Sequence, residues 1–388
     1  MKNKQEKGIT LIALVVTIVV LLILAGVSIS LVLNNNGIIS KAKEAKNRYA
    51  EAQTNEEKQL NELANLISTK LGETTGGGSA GGGSAGGGSA GGGSAGGSDY
   101  DPASDGVPIP SGFVYVGGTK DSGLVISDDS ADKEQYKGQK KVGTDLQGNQ
   151  FVWIPVENIA DYKRTAYANQ NISSYSETLP GDERTSVDEK KGYYIGRYEA
   201  GDKESTGAET LRKSGASTSN TITIKAKQAP YNYVTRTQAK ALAEGFGTKQ
   251  NYKNVKTKLV SSYAWDTAIA FIQKTVSNYG SSSPQGNYKN AEAFTYTDIK
   301  GQGQTKVEGS SSGTPIPTGQ TTAVNNIYDM GGNVVEWTTE SCSSYMYSSC
   351  AGRGGYYVSN FAGAPAGFRS SFSDYANDGY GFRLTLFL

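Results

Sequence analysis

The sequence predicts an α+β protein that has a long N-terminal helix, a flexible Gly/Ser linker and a C-terminal head with much irregular loop. Three observations support this prediction. Residues 9–33 are predominantly apolar and carry no charge, residues 76–98 are only Gly, Ser and Ala, and residues 99–388 alternate short β-type segments with long polar loops. A chain of 388 residues is long enough for two or three domains.

The composition narrows the possible functions. The chain carries 38 Lys and Arg against 37 Asp and Glu, and this balance gives no electrostatic basis for nucleic-acid binding. Histidine is absent, which removes the most common general base and the usual ligand of catalytic metals. The absence of histidine therefore counts against many classes of enzyme.

The N terminus predicts a membrane-spanning helix. Residues 9–33 are 25 consecutive positions without a charge, and at about 1.5 Å per residue such a helix exceeds the roughly 30 Å of bilayer hydrocarbon. Lys2, Lys4 and Lys7 precede it and favour a cytoplasmic N terminus. We therefore expect a single pass through the inner or cytoplasmic membrane, with the head outside the cell.

Two further segments separate this helix from the head. Residues 34–37 (NNNG) end the apolar run, and an amphipathic stalk helix is predicted over 34–75. Its apolar face is marked by the helical spacing of Leu60, Leu63, Ile67 and Leu71. The GGGSA repeats of 76–98 predict a flexible coil, because Gly and Ser cannot build a core.

The start of the chain resembles type IV pilins and pseudopilins, through Lys7-Gly8-Ile9 and the apolar helix that follows. The resemblance implies that residues 1–8 are a leader, that prepilin peptidase cleaves after Gly8 and that Ile9 is N-methylated. It also implies assembly with other pilin subunits at the cell surface or in a pilus. The family usually has Glu where this chain has Ala13, which favours a minor or tip subunit, or a membrane tether that does not polymerise.

Four segments of the head predict strands and two predict helices. The strands are residues 113–116 (FVYV), 151–156 (FVWIPV), 192–200 (GYYIGRYEA) and 221–226 (TITIKA). The helices are residues 237–244 and 263–276, and in the second Ala264, Ala268, Phe271 and Ile272 recur at helical spacing.

Several motifs of the head resemble the formylglycine-generating-enzyme/sulfatase-modifying family, whose fold is C-type-lectin-like. They are residues 194–199 (YIGRYE), the helix start in 261–271, 328–337 (YDMGGNVVEW), 353–355 (RGG) and 381–383 (GFR). The resemblance implies a Ca²⁺ site formed by the carboxylates of Asp329 and Glu336 and the carbonyls of Gly332 and Val334. The alternative is that Asn333 and Glu336 only satisfy buried amides of the loop. Trp337 is expected in the core.

Enzymes of this family use two cysteines between the RGG and GFR motifs, and this chain has none there. Cys342 and Cys350 both precede Arg353, so the catalytic role does not transfer to them. In a domain outside the cell, we expect this pair to form a disulfide that closes a small loop. No enzymatic activity is therefore expected, and a sulfatase-modifying type of enzyme is the disfavoured alternative.

Residues 341–388 have the composition of a contact surface. Half of them are Ser, Tyr, Gly or Asn, and none is Lys or Glu. Tyr supplies a large contact area at low entropic cost, and interfaces are rich in Tyr and Phe but poor in Lys and Glu. An ordinary Tyr/Ser-rich β surface would have the same composition.

The Tyr/Ser-rich stretch lies around the RGG and GFR motifs, and with this arrangement the head resembles the variable proteins of diversity-generating retroelements. In those proteins, adenine-directed mutagenesis rewrites codons at the 3′ end of the gene. The resemblance implies a variable ligand-binding region within about 341–388. The residues expected to bind ligand are Tyr357, Ser359, Asn360, Phe361, Ser371, Phe372, Asp374, Tyr375, Asn377, Asp378 and Tyr380. The fixed scaffold would be Gly354, Gly355, Gly381, Phe382 and Arg383, with Arg353, Arg369 and Arg383 buried in a hydrogen-bonded framework.

Together these observations predict a surface-displayed, pilin-like adhesin or receptor whose head binds a protein or glycan by noncovalent contact. The alternative from another functional class is a structural minor or tip pilin or pseudopilin with a fixed head.

Overall fold

The computed structural model describes residues 100–167, 170–204, 212, 218–219, 221–307, 309, 314–345 and 348–388. The chain divides into two units, Met1–Gly91 and Gly92–Leu388, and the described residues all belong to the second. The predicted leader with Gly8 and Ile9, the membrane helix, the stalk helix and the linker lie outside the described residues. Within the part that is described, no helix combines the length and the apolar character that crossing a membrane requires.

The described head contains many short strands and three α-helices. The helices are α1 (Gly181–Lys190), α2 (Arg236–Lys249) and α3 (Ser262–Ile272). The strands are β1 (Val114–Gly117), β2 (Val125–Ser127), β3 (Gln150–Pro155), β4 (Tyr175–Ser176), β5 (Gly192–Gly196), β6 (Gly201–Asp202), β7 (Ile222–Thr223), β8 (Ala229–Pro230), β9 (Lys256–Leu259), β10 (Phe294–Thr297), β11 (Gly303–Lys306), β12 (Val335–Tyr345), β13 (Ser348–Arg353), β14 (Arg369–Phe372), β15 (Tyr380–Phe382) and β16 (Leu384–Phe387).

A six-stranded antiparallel sheet, in the order β1-β2-β3-β5-β16-β9, forms the centre of the head. Both of its faces are buried: Val152 and Ile154 of β3 pack into one hydrophobic cluster, and Phe151 and Trp153 pack into the other. A strand buried on both faces has no polar side, which is why residues 151–156 read as a continuous apolar run. The C-terminal strand β16 is an interior strand of this sheet.

A second sheet carries the C-terminal loops. Its strand order is β14-β13-β12-β15, and β4 also pairs with β12. Strands β12 and β15 are parallel, with Trp337 opposite Phe382, whereas β12, β13 and β14 are antiparallel. The loops 354–368 and 373–379, which contain most of the predicted ligand-binding residues, therefore leave the same sheet. The smaller units are the hairpin β10-β11 and the three-stranded sheet β7-β6-β8.

Both predicted helices are present, with different ends. Helix α2 begins with a capping box, because the Thr235 hydroxyl accepts from the backbone N–H of Gln238 and the Gln238 side chain accepts from that of Thr235. Helix α3 begins after Ser261, whose side chain accepts from the backbone N–H of Ala264, and it ends at Ile272. The described head is thus a mixed domain with mostly strands and few helices.

Candidate functional site

The framework arginines Arg353 and Arg369 share one buried carboxylate. Each donates through Nη2 to a different oxygen of Asp266, and Arg369 also donates through Nε to Glu340 Oε2 at 2.9 Å. All four side chains are fully buried. Burial alone would raise the pKa of Glu340, but Arg353 and Arg369 hold this pKa below its usual value.

Arg383 forms the second buried ion pair of the framework. Its Nη2 and Nε donate to the two oxygens of Glu336 at 2.6 and 3.0 Å, so the pair is bidentate. Arg383 also donates to the backbone carbonyls of Gly196 at 2.8 Å and Tyr328 at 2.9 Å. The prediction that Arg353, Arg369 and Arg383 are buried in a hydrogen-bonded framework is confirmed.

The two carboxylates predicted to bind calcium are engaged by other groups of the protein. Asp329 Oδ2 accepts from the backbone N–H of Gly319 and Oδ1 accepts from the Thr321 hydroxyl, each at 2.7 Å. A cation bound to Glu336 would meet the guanidinium of Arg383. Burial raises the pKa of Glu336 to about 7, although Arg383 favours the carboxylate. Asp329, Gly332, Val334 and Glu336 in this arrangement do not fit a Ca²⁺ ion.

Asn333, by contrast, has the role that the alternative interpretation gave it. Its Oδ1 accepts from the backbone N–H of Ile316 at 2.8 Å and from Nδ2 of Asn287 at 3.0 Å, and its Nδ2 donates to the carbonyl of Ile316 at 3.1 Å. Asn333 therefore satisfies buried backbone groups of the loop.

The predicted disulfide between Cys342 and Cys350 is wrong for this structure, in which both cysteines are buried free thiols. The strand register explains the difference. Cys350 lies opposite Ser341, whereas Cys342 is paired with Tyr175 of β4. Successive side chains of a strand point to opposite faces, so Cys342 does not face the partner that the sequence suggested. Cys350 packs instead in the hydrophobic cluster that contains Trp337.

Asp378 and five tyrosines from three segments form a group linked by hydrogen bonds, ring contacts and electrostatic interactions, and we call this group the tyrosine face. Its members are Tyr233, Tyr356, Tyr357, Tyr375, Tyr380 and Asp378. The Tyr357 hydroxyl donates to Asp378 Oδ2 at 2.9 Å, and the hydroxyls of Tyr375 and Tyr380 are 2.7 Å apart. Tyr375 is the most exposed ring, at 43%.

The rings of the tyrosine face are supported by the core. Tyr380 packs against Trp337 with ring centroids 4.9 Å apart and against Phe372 at 4.7 Å. Trp337 is fully buried, as the sequence predicted. Tyr357 and Tyr380 are themselves only 9% and 7% exposed. Their rings therefore present little surface to solvent, and they pack against the accessible tyrosines. The accessible rings belong to Tyr233, Tyr356 and Tyr375.

Burial is the first cause of the raised pKa of Tyr233, Tyr357 and Tyr380. The charge of Asp378 raises all three further, and for Tyr357 the hydrogen bond to Asp378 does so as well. The three hydroxyls therefore stay protonated at neutral pH and can donate hydrogen bonds.

Residues outside the C-terminal region hold the loop that carries Asp378. Asn232 Nδ2 donates to the carbonyl of Asp378 at 2.8 Å, and the backbone N–H of Tyr233 donates to the carbonyl of Asn377 at 2.9 Å. The backbone N–H and the hydroxyl of Thr237, at the start of α2, donate to the carboxylate of Asp374. These anchors use two backbone carbonyls and one side chain of the loop.

Tyr233 and Tyr356 are members of the face that the sequence did not identify. Tyr233 lies far from the C-terminal stretch in sequence, and its left-handed backbone (φ +51°) is uncommon for a non-glycine residue. Tyr356 is next to the predicted Tyr357, and their rings lie 5.4 Å apart. The adjacent tyrosines in 356–357 and the tyrosines of 231–233 were the available signals.

The other predicted ligand-binding residues lie around this group. Ser359 accepts from the backbone N–H of Tyr356 at 3.3 Å, and Phe361 packs near Tyr288 at 6.4 Å. Asn360 and Asp374 are exposed, and Ser371, Phe372 and Asn377 are partly buried. The eleven predicted residues therefore occupy the loops 354–368 and 373–379, strand β14 and the start of strand β15, and their role in binding stays a prediction.

No protein-family model matches the chain, and no curated protein matches it significantly. Several solved structures are similar to it, among them CarF, a variable protein of Treponema denticola and PvdO. CarF is 14% identical over 51% of this chain and 87% of its own, with a TM-score of 0.31. Variable protein 1 of Treponema denticola is 12% identical over 63% and 97%, with a TM-score of 0.37. PvdO from Pseudomonas aeruginosa is 16% identical over 64% and 98%, with a TM-score of 0.35.

Proposed function

We propose that this chain is a surface-displayed ligand-binding protein whose head binds a protein or glycan through the tyrosine face. The observation that carries the proposal is the grouping of five tyrosines with Asp378 from three segments of the chain. Tyr combines large contact area with a hydroxyl donor, and it is enriched in binding surfaces for that reason. Binding is noncovalent, and no step of it needs a nucleophile or a general base.

The face is, in this proposal, diversified by a retroelement while its support stays constant. The buried ion pairs of Arg353, Arg369 and Arg383 support this, since they hold the sheet without using side chains of the tyrosine face. The loop anchors from Asn232 and the Tyr233 backbone bind carbonyl oxygens, which every amino acid provides. Substitutions of exposed side chains in loops 354–368 and 373–379, such as Tyr375, can therefore change the ligand without removing the framework.

The pilin-like part of the proposal rests on residues 1–98 alone. There the helix 9–33 anchors the chain in the membrane until prepilin peptidase and pilin partners act on it, and the linker 76–98 lets the head reach ligands away from the surface. Loss of pili on deletion of the gene, with ligand capture unaffected, would favour the structural-pilin alternative.

A variant of the most exposed ring tests the proposal. Cells that display the full chain would be panned against a random peptide display library and a glycan array. Tyr375→Ser is expected to lower capture of the selected ligands at least about tenfold, as truncation of an interface tyrosine can. Tyr296→Ala, which changes a partly buried tyrosine of hairpin β10-β11, serves as the control. Equal capture by Tyr375→Ser and the unmodified chain would contradict the proposal.

A further inference from the structure

We propose that the tyrosine face binds a basic polypeptide segment and receives one of its Lys or Arg side chains beside Asp378. This inference rests on the proposed function and specifies the class of its ligand. Three features of the face support it, namely its rings, its charge and the open oxygen of its carboxylate.

The rings provide the first argument. Tyr233, Tyr356 and Tyr375 are the accessible rings of the tyrosine face, to which Asp378 belongs. An aromatic ring attracts a cation through the negative potential of its face. A cation between a tyrosine ring and an aspartate also occurs in the interior of the head. There Arg212 lies 4.0 Å from the ring centroid of Tyr231 and pairs with Asp202 at 2.8 Å. A tyrosine ring with a neighbouring aspartate is therefore a stable arrangement for a guanidinium in this fold.

The charge balance provides the second argument. The one basic residue between 354 and 382 is Arg369, which is buried and paired with Asp266 and Glu340. The same stretch has two acidic residues, Asp374, which is exposed, and Asp378, which is partly buried. The accessible charge of this stretch is thus negative, which complements a basic ligand and opposes an acidic one.

The carboxylate itself provides the third argument and separates two kinds of cation. Oδ2 of Asp378 accepts from Tyr357, and within the described residues no hydrogen bond reaches Oδ1. A Lys ammonium or an Arg guanidinium has N–H donors for this oxygen, whereas a quaternary ammonium group has none. The site therefore favours a basic peptide over a choline-type headgroup.

The test compares peptide selection on two versions of the full chain in neutral detergent micelles. A random twelve-residue peptide display library is panned on the unmodified chain and on Asp378→Asn, which keeps an acceptor for Tyr357 but removes the charge. We expect Lys and Arg to be enriched in peptides from the unmodified chain and not in peptides from Asp378→Asn. Affinities of ten selected peptides, measured by fluorescence anisotropy, should fall at least about tenfold with Asp378→Asn and fall with added salt.

Asp161→Asn is the matched control, because it removes the same charge from an exposed turn and should change these affinities less than about twofold. Equal affinity of the basic peptides for Asp378→Asn would overturn the inference, as would an empty selection. Peptides that depend on Tyr375 but are not enriched in Lys or Arg would overturn the inference and leave the proposed function standing. Peptides that bind Tyr375→Ser as tightly as the unmodified chain would overturn the proposed function as well.

Discussion

The framework arginines and most of the tyrosine face lie in the C-terminal part of the chain, but their charged groups differ in burial and in how many partners they have. Arg353, Arg369 and Arg383 are fully buried and each has a buried carboxylate as partner. Asp378 is only partly buried, and one of its oxygens has no partner among the described residues. The first arrangement is complete without a ligand, whereas the second leaves a carboxylate oxygen that the proposed ligand would use.

This difference separates the contacts that stabilise the head from those available for binding. Removing a partner from a buried ion pair leaves an uncompensated charge in the interior, so the framework should tolerate little change. An exposed ring such as Tyr375 contributes little to folding and can be exchanged. Variants of the two regions should therefore affect different measurements.

The largest expected effect on stability comes from Arg383→Ala. It leaves Glu336 buried without its bidentate partner and should lower the free energy of unfolding by about 3–5 kcal/mol. All three tryptophans of the chain are in the head, so urea unfolding of the full chain followed by tryptophan fluorescence reports on this domain. Arg184→Ala, at an exposed position of α1, is the control, and a similar effect of both variants would contradict the framework role.

The next effect concerns the pH dependence of stability. Burial raises the pKa of Glu177 from its usual value near 4.5 to about 7, while the backbone N–H of Ser262 donates to it at 2.8 Å. The folded state then holds this proton more tightly than the unfolded state, so stability is greater at low pH and falls as the pH rises from about 4.5 to 7. Glu177→Gln should remove about 1–3 kcal/mol of this decrease between pH 5 and pH 8. Glu189→Gln, at an exposed position, should leave the pH profile unchanged, and an unaltered profile of Glu177→Gln would refute the assignment.

A smaller effect on stability, with a clear effect on binding, is expected from Gly379→Ala. A Cβ at this position would lie 2.8 Å from Cδ2 of Tyr356, so the ring must shift from its position in the face. We expect a loss of about 1–2 kcal/mol in the free energy of unfolding and weaker binding of selected peptides. In Gly363→Ala the nearest atom is 3.7 Å away, so this variant should bind normally. Undiminished peptide affinity of Gly379→Ala would show that Tyr356 is not part of the binding surface.

The smallest effect is expected from a reducing agent. Because Cys342 and Cys350 are free, dithiothreitol should shift the midpoint of thermal unfolding of the full chain by less than about 1 °C. A thiol titration of the urea-unfolded chain, without reductant, should find both cysteines. Their absence from that titration would restore the disulfide that the sequence suggested.

The sequence predicted those parts of the head that depend on local pattern. Helix α3 and strand β3 follow from apolar patterns. The burial of Trp337 was expected because large aromatic side chains usually lie in the core, and the burial of Arg383 was expected from its place in the GFR motif. Helix α1 was missed because Val187 is its one apolar residue, so it has no apolar periodicity.

The composition of the tyrosine face required the tertiary structure. Tyr233 joins it through a backbone hydrogen bond to Asn377, which lies more than a hundred positions later in the chain. No local pattern encodes such a contact. The disulfide prediction failed for a related reason, since the register of β12 against β13 decides which side chain faces Cys350.

Deep sequencing of the 3′ end of this gene across one bacterial population tests the central claim most directly. The account predicts substitutions at adenines in the codons for the C-terminal part of the tyrosine face and its neighbours, from residue 356 to residue 380. The codons for Arg353, Arg369 and Arg383, and for Tyr233 outside this region, should be unchanged. A uniform 3′ end, or substitutions spread equally over framework and face, would contradict the separation of a constant framework from a variable binding surface.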